Sequence, residues 1–413
     1  MIEKRMSTWA LLLLLFVPII LTSSWLQGHV TLFARGWLWL ALGCFVCILQ
    51  NSSYLSSRNV FWLFLYAVVL YLNHLSGDAY FHGLPSIIME IATLLFCAYL
   101  VFYVSQKHNS KFTTLLVLSQ LIVIVITSIL SISADILFPG IIRQTVTLIN
   151  SGQSEGVIPF YKMGVCEYGF PHAIPVLIPG LMLLVKNRRI KPIIRILIVL
   201  VLALLLYLVF ISGVTTALIL AIFGFLASLF VVEDNRKKNI RRLILLGLFL
   251  TPLLNDSVSL SLLQNLETIV PEENKITGKI INLEETIQNE NADGSLQTRS
   301  NLYMMSFNEF LKHPILGVNK TDNLGGHSAF LERLATLGIL GIVPYIIFIV
   351  LLMKYVIRFI PEESIFFLYI GFIAFIIMLG TKNMSNIYLW LYSFVLLPSI
   401  IIINENPPKI VIK

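Results

Sequence analysis

The chain has 413 residues, of which 57% are hydrophobic and 12% are charged, and its formal net charge is +7. Soluble domains average roughly 45–50% apolar and about 25% charged residues, so this composition excludes an ordinary water-soluble fold. The basic residues cluster between apolar runs, so the positive charge marks loops at a membrane and not a nucleic-acid surface.

The apolar residues form runs of about 14 to 25 between polar clusters, the length needed to cross a hydrocarbon core about 30 Å thick. These runs predict an all-α polytopic bundle of about 12 transmembrane spans, forming one integral membrane domain over residues 1–413. The first run has a basic start but no small-residue cleavage site, so we interpret it as a retained helix. The predicted spans are 9–22, 37–50, 60–73, 86–104, 112–130, 172–185, 193–211, 214–232, 243–256, 329–353, 365–380 and 387–403.

The basic residues also predict the orientation of the spans. Residues 186–195 and 236–242 hold five Lys or Arg each, whereas the tight turn Ser212-Gly213 between them holds none. Short loops rich in Lys and Arg face the cytoplasm. Both termini are therefore expected in the cytoplasm, and segments 131–171 and 257–328 are expected outside the membrane.

These two outside segments are the expected location of function, because loops longer than about 15 residues are usually functional or disordered. Between residues 257 and 326, nine Asp or Glu outnumber five Lys or Arg. Apolar residues recur there at helical spacing, which predicts two amphipathic helices in a partly helical acidic loop. The first is marked by Ile276, Ile280, Leu283 and Ile287, and the second by Leu302, Met305, Phe310 and Leu311.

The clearest motif lies at the end of the larger outside segment and continues into the next span. Its order and spacing resemble the C-terminal core of the O-antigen ligase and O-antigen polymerase (Wzy-type) superfamily of membrane glycosyltransferases. The residues that carry the resemblance are Arg299, His313-Pro314-Ile315-Leu316-Gly317, His327-Ser328, Leu331-Glu332 and the step from Gly338 to Gly341.

The resemblance implies a GT-C-like helical fold and glycosyl transfer at the outer face of the bacterial cytoplasmic (inner) membrane. The implied partners are a polyprenyl-diphosphate-linked oligosaccharide, an acceptor glycan and membrane lipid, together with chain-length regulator and flippase proteins. It implies no cofactor and no nucleic acid. The implied product is a surface polysaccharide such as O-antigen, capsule or exopolysaccharide.

Three residues of the motif are candidate catalytic residues. Arg299 has a forked guanidinium that suits diphosphate, and a helix starting near Ser300 is expected to add amide donors. His327 fits either the base that assists a sugar hydroxyl or a residue that orients the acceptor. Glu332 follows His327 by a little over one helical turn, so it can orient the imidazole, bind acceptor hydroxyls or pair with Arg333.

The remaining motif residues are expected to be structural. A turn is predicted at His313, Pro314 and Gly317, because proline ends the preceding helix and glycine permits the reversal. Gly338 and Gly341 are predicted to allow close helix packing. Ser328 is a candidate N-cap for the helix that follows it.

A second diphosphate ligand is expected in the first outside segment. Lys162 stands where the family pattern has arginine, and His172 stands where it has asparagine; Arg143 is the alternative ligand. Lysine keeps the charge but lacks the bidentate fork. Residues 211–217 resemble a segment that normally contains an arginine in this family. That arginine is absent here, so either the usual site is not fully retained or another part of the chain supplies the basic residue.

Metal-dependent and transport functions fit these residues less well. The long loops contain no Asp-x-Asp motif and no cluster with metal-ligand spacing, so no metal is expected at the site. A transporter or flippase would explain the spans equally well, but transporters place ionisable residues at mid-membrane, often in repeats. Here charges lie near the ends of spans, which favours the enzyme. A polymerase is preferred to a ligase because polymerases are the more variable in sequence.

Overall fold

The computed structural model describes residues 8–30, 36–50, 52–75, 84–105, 110–150, 156, 158–231, 238–239, 241–242, 295–318, 324, 328–381 and 386–405, and at 110, 146–150 and 295–299 it defines the helix without the side chains. The described residues are helices joined by short turns and contain no strand. The helices are α1 (Thr8–Thr22), α2 (Ser24–His29), α3 (Gly36–Gln50), α4 (Arg58–Leu75), α5 (Leu84–Ser105), α6 (Ser110–Leu137), α7 (Ile141–Asn150), α8 (Ile158–Lys162), α9 (Gly169–Lys186), α10 (Pro192–Ile211), α11 (Thr215–Phe230), α12 (Ser295–Lys312), α13 (Ala329–Ile357), α14 (Ile365–Thr381) and α15 (Ile387–Glu405), the last with a π-helical stretch at Leu391–Leu396.

The predicted spans coincide with helices throughout the described ranges; the predicted span 243–256 and the predicted helix at 276–287 lie outside them. Seven described helices are long and apolar enough to cross a membrane by length and composition, namely α5, α6, α9, α10, α13, α14 and α15. Three others, α1, α3 and α11, are apolar but shorter. The all-α integral membrane class is therefore confirmed, while the count of 12 spans and the GT-C likeness remain predictions.

Helix α9 forms the centre of the bundle. Its residues Gly169 to Leu184 are all buried, because α10, α11, α14 and α15 pack around it. A helix that is apolar on every side must be surrounded by protein or by lipid, and α9 is surrounded by protein. By contrast, only four residues of α10 are buried, as expected for a helix that faces lipid.

One end of the bundle holds most of the residues predicted to be functional. We call it the loop end, and define it as the end at which α9, α13 and α15 begin. Tyr303 of α12 donates from its hydroxyl to the Thr381 carbonyl at the end of α14, at 3.1 Å. Gly169 lies so close to Asn386, which precedes α15, that a Cβ atom at 169 would overlap the amide of Asn386.

The segment predicted as the first outside loop, 131–171, is largely helical. Helix α6 continues to Leu137 instead of ending near residue 130, because Ser131 donates its hydroxyl proton to the carbonyl four residues back, at 2.7 Å. This bond satisfies the polar side chain inside the helix. The chain then turns at Gly140 (φ 79°), whose N–H donates to Asp135 Oδ1 at 3.0 Å, and α7 and α8 follow.

Candidate functional site

The two candidate phosphate ligands of the first outside segment lie on short helices at the loop end. Lys162 is the last residue of α8, and Arg143 lies in the first turn of α7. Both side chains are exposed, and neither makes a hydrogen bond or ion pair with another described residue. Gly28 of α2 packs on the backbone of α8, where a Cβ atom would lie 2.5 Å from the Lys162 nitrogen. Helix α2 therefore fixes the position of Lys162.

Arg299 lies within α12 and not before it. The helix begins at Ser295, so the prediction of a helix start near Ser300 is wrong. Leu296 and Gln297 are good helix formers, which allows the helix to begin one turn earlier. The unbonded amide groups of the first turn consequently precede the arginine and do not follow it. The side chain of Arg299 lies outside the part of the structure that is described.

Ser328 caps α13, as its position before an apolar run predicted. Its Oγ accepts a hydrogen bond from Leu331 N–H at 3.2 Å, and its own N–H donates to Glu332 Oε1 at 3.3 Å. This reciprocal pair resembles a capping box, which fixes the direction in which the chain enters the helix. Glu332 is buried, with 1% of its surface exposed. His327 lies outside the described residues, but the residue after it is held by this cap.

The turn that follows α12 docks into a break in α13. At Gly338 the α13 backbone leaves the helical conformation (φ 58°, ψ −164°), so the amides that follow cannot bond to the preceding turn. Two of them bond to the docked turn instead, and the turn donates one bond in return. The motif's proline turn and its double-glycine step are therefore one structural unit. The bonds run from Ile339 N–H to the Pro314 carbonyl (2.9 Å), from Leu340 N–H to the Ile315 carbonyl (3.2 Å) and from Val318 N–H to the Ala335 carbonyl (2.8 Å).

The two glycines of the step have different roles. Gly341 allows close helix packing as predicted, because a Cβ atom there would lie 3.1 Å from Val69 of α4. The same prediction is wrong for Gly338, which breaks the helix and admits the turn; a Cβ atom there would overlap the Ile315 carbonyl. Gly317 shapes the turn as predicted, with a positive φ of 75°.

We expect Gly338→Ala to destabilise the protein by about 2–4 kcal/mol, from left-handed backbone strain and the loss of the docked hydrogen bonds. Two glycines provide matched controls. Gly213 has a positive φ of 64° but open space around it, so Gly213→Ala should cost only the strain. Gly380 has open space and is helical, so Gly380→Ala should cost nothing. Unfolding of the purified protein in detergent checks this order, and equal losses at 338 and 213 would contradict it.

A buried ion pair joins α5 to α13 close to the loop end. Arg333 Nη2 lies 2.7 Å from Glu90 Oε1, and the two side chains are 3% and 8% exposed. Tyr66 of α4 bridges them, because its hydroxyl donates to Glu90 Oε1 at 2.7 Å and accepts from Arg333 Nε at 2.9 Å. Arg333 Nη1 donates to the Ala329 carbonyl at 3.0 Å, and the guanidinium lies 4.8 Å from the centre of the Tyr345 ring. The cluster fixes the first turns of α13 against α4 and α5.

This cluster settles one alternative for Glu332. The described partners of Arg333 are Glu90, Tyr66 and Ala329, so Arg333 does not form an ion pair with its neighbour Glu332. Sequence reasoning missed the cluster, although one signal was present: Glu90 is a charged residue inside a predicted span, and such residues normally have a partner. The identity of that partner, on a helix far along the chain, required the structure.

A second polar cluster lies where the connection from α8 to α9 meets the start of α15. Tyr161 donates from its hydroxyl to Glu167 Oε1 at 2.9 Å, and Cys166 N–H donates to Ser131 Oγ at 2.8 Å. The buried hydroxyl of Tyr388 has no hydrogen-bond partner among the described residues. Burial raises the pKa of the Cys166 thiol to about 12. Burial also raises the pKa of the Glu167 carboxyl, and the hydrogen bond from Tyr161 acts in the opposite direction. Sequence reasoning passed over Glu167 because a lone loop carboxylate carries no pattern.

We expect Glu167→Gln to stabilise the protein at neutral pH. Because the folded state raises the pKa of Glu167 above the ordinary 4.5, folding favours the protonated form. Wild-type stability should therefore fall as the pH rises through the folded-state pKa. Glutamine is neutral at every pH and keeps an oxygen for Tyr161, so the variant should lose this part of the pH dependence. Unfolding midpoints from acidic to neutral pH test this, and an unchanged profile would contradict it.

Comparison with known families bears on the motif region. Residues 198–346 match the family model described as O-antigen ligase, whereas no curated protein and no solved structure matches the chain. The matched range runs from α10 into α13, so it contains Arg299, His327 and Glu332, while Lys162 and Arg143 precede it. In the described ranges no three His, Cys, Asp or Glu side chains come together as metal ligands would. Over residues 198–346 the chain thus matches the O-antigen ligase family, consistent with the O-antigen ligase and polymerase superfamily that its motif resembles.

Proposed function

We propose that the protein polymerises polyprenyl-diphosphate-linked oligosaccharide repeat units into a surface polysaccharide. The observation that carries the proposal is the O-antigen ligase family match over residues 198–346, because it spans the whole motif from Arg299 to Gly341. The docked turn at Gly338 adds that two separate parts of this motif, the proline turn and the glycine step, are hydrogen-bonded to each other in the fold.

The reaction is placed at the outer face of the bacterial cytoplasmic membrane, with both termini in the cytoplasm. The support is the distribution of basic residues: the connection 186–195, at the end of the bundle opposite the loop end, carries five Lys or Arg. Basic connections of this kind remain cytoplasmic. The loop end, with its candidate site residues, then faces the compartment in which lipid-linked repeat units are joined.

The chemistry assigned to the site is transfer of a glycan from a diphosphate. An acceptor hydroxyl attacks the anomeric carbon, the bond from that carbon to the diphosphate oxygen breaks, and the hydroxyl proton passes to His327. Arg299 and a second cation stabilise the charge that grows on the diphosphate. Arg333 is unsuited to be that cation, because it is buried and its charge is balanced by Glu90. Lys162 and Arg143 are exposed and remain the candidates.

We expect Lys162→Ala to lower product formation by about 10- to 100-fold, the loss typical of one hydrogen bond to a charged group. Arg143→Ala should have less effect, because α2 fixes Lys162 beside the start of the central helix α9. Lys162→Arg should retain activity, since it keeps the charge and adds a fork. Lys191→Ala, at an exposed lysine of the opposite end, is the control. A larger loss at Arg143 than at Lys162 would reverse the assignment.

A ligase is the second candidate, favoured by the description of the matched family, which names O-antigen ligase. The two differ in acceptor: a lipid-linked repeat unit for a polymerase, a lipid or protein for a ligase. Gel analysis of surface glycan from a deletion strain separates them. Single repeat units on the anchor indicate a polymerase, and polymer that accumulates on the carrier indicates a ligase. Repeat units trapped on the cytoplasmic side would indicate a flippase instead, and unchanged glycan would refute all three.

A further inference from the structure

Helix α12 has an exposed apolar flank beside an exposed polar flank. Met304, Phe307 and Leu311 recur at spacings of three and four and are 53%, 39% and 58% exposed. At about 100° per residue they share one flank, while the exposed Asn308 and Lys312 fall on the next, together with the exposed Met305. A helix with this division between apolar and polar surface suits the boundary between hydrocarbon and water.

The turn after α12 extends the apolar surface. Ile315 and Leu316 are 63% and 69% exposed, although both are large and apolar. Because the turn is hydrogen-bonded to the amides of Ile339 and Leu340, its tip lies beside these residues of α13. They are also exposed, at 47% and 50%, and begin an apolar stripe along the outside of the span. The stripe continues through Val343, Ile346 and Val350.

The length of α13 gives the depth of this tip. Helix α13 has 29 residues, about 43 Å at 1.5 Å per residue, whereas a span needs about 20 residues. The part from Gly338 to Ile357 alone has the length of a span, so Gly338 and the docked turn lie near the edge of the hydrocarbon. The hydrogen bond from Tyr303 to the Thr381 carbonyl places α12 at the end of span α14. This end of α14 also lies at the loop end, where α12 therefore meets the edge of the hydrocarbon.

We infer that α12 and the tip formed by Ile315 and Leu316 are seated in the lipid surface at the loop end, with Met304, Phe307 and Leu311 against bilayer hydrocarbon. The partner is the bilayer itself, because the exposed apolar surface is continuous with the lipid-facing stripe of α13. The inference concerns the placement of α12 and holds whether or not the protein transfers glycans. Its consequence is that Arg299, on the same helix, is held at the level of lipid headgroups.

The test measures the surroundings of single nitroxide labels in protein reconstituted into phosphatidylcholine vesicles. Cysteine is introduced at Met304, Leu311 or Leu316, and at Asn308 or Lys312 as matched exposed positions on the polar flank. The native cysteines are all buried, so the unmutated protein serves as the unlabelled control. Collision rates are measured with oxygen, which concentrates in hydrocarbon, and with a nickel chelate, which remains in water.

We expect labels at 304, 311 and 316 to favour oxygen over the chelate several-fold, and labels at 308 and 312 to show the opposite preference. Equal access of the chelate to both flanks would place α12 in water. Low access of both reagents at 304 and 311 would mean that protein covers the apolar flank. Either result would overturn the inference, as would lipid contact at 316 without lipid contact at 304 and 311.

Discussion

Replacing Arg299 or His327 with alanine is expected to lower glycan transfer by about 100-fold or more, while protein level and membrane insertion stay unchanged. The expected size follows from their proposed roles, because a positioned base or a charge-stabilising donor typically contributes at least that factor. The measurement is in vivo: the variant is expressed in a deletion strain, and long-chain surface glycan is compared with protein abundance in the same membranes.

The helix α12 and the turn after it provide matched controls for this result. Lys312 is an exposed cation on the same helix as Arg299, with a surface bond to Glu309 at 2.7 Å, so Lys312→Ala should leave transfer intact. His313 is an exposed histidine of the same motif, and His313→Ala should likewise be tolerated. If Arg299→Ala or His327→Ala still made full-length polymer, the assignment of these residues would be wrong.

The second large effect concerns the buried cluster of Arg333, Glu90 and Tyr66. Arg333→Met should destabilise the protein by about 3–5 kcal/mol, because it leaves the Glu90 carboxylate buried without its cation. The double variant Arg333→Met/Glu90→Leu should be much less destabilised than either single variant, since it removes both charges. Unfolding of the three variants in detergent measures the coupling.

Tyr66→Phe separates the ion pair from the bridge. It removes one hydroxyl that donates to Glu90 and accepts from Arg333, so a loss of about 1 kcal/mol is expected, well below that of Arg333→Met. Additive losses in the double variant would show that the pair is not coupled. In that case the cluster would not hold α13 in place through the attraction of the two charges.

Much of the fold follows from the sequence, because apolar runs of membrane-spanning length leave little choice of structure. Helices α5, α9 and α14 lie where the runs lie, and the cap at Ser328 follows from a hydroxyl before an apolar helix. Helix ends that depend on polar residues were harder to predict. Helix α6 runs past its predicted end because Ser131 bonds within the helix, and α12 begins a turn early because its first residues favour helix.

The contacts around the site were harder to predict from the sequence, because they join distant parts of the chain. Glu90 and Arg333 are 243 residues apart, and nothing local to either residue marks the other. The break at Gly338 could not be predicted for a related reason. Two glycines at the spacing of Gly338 and Gly341 predict close helix packing. Only the hydrogen bonds to the turn at Pro314 show that the helix is interrupted there.

The docked turn also bears on how the chain can vary. Val318 is fixed to the Ala335 carbonyl, and Ser328 is fixed at the start of the same helix, so both ends of the segment 319–327 are anchored on α13. The residues on either side of 319–327 are thus held by one and the same helix. Insertions or deletions before residue 295 need not move these two anchor points, whereas a length change of even one residue within 319–327 must be accommodated between them. Homologous chains should therefore differ widely in the first region and hold a narrow range of lengths in the second.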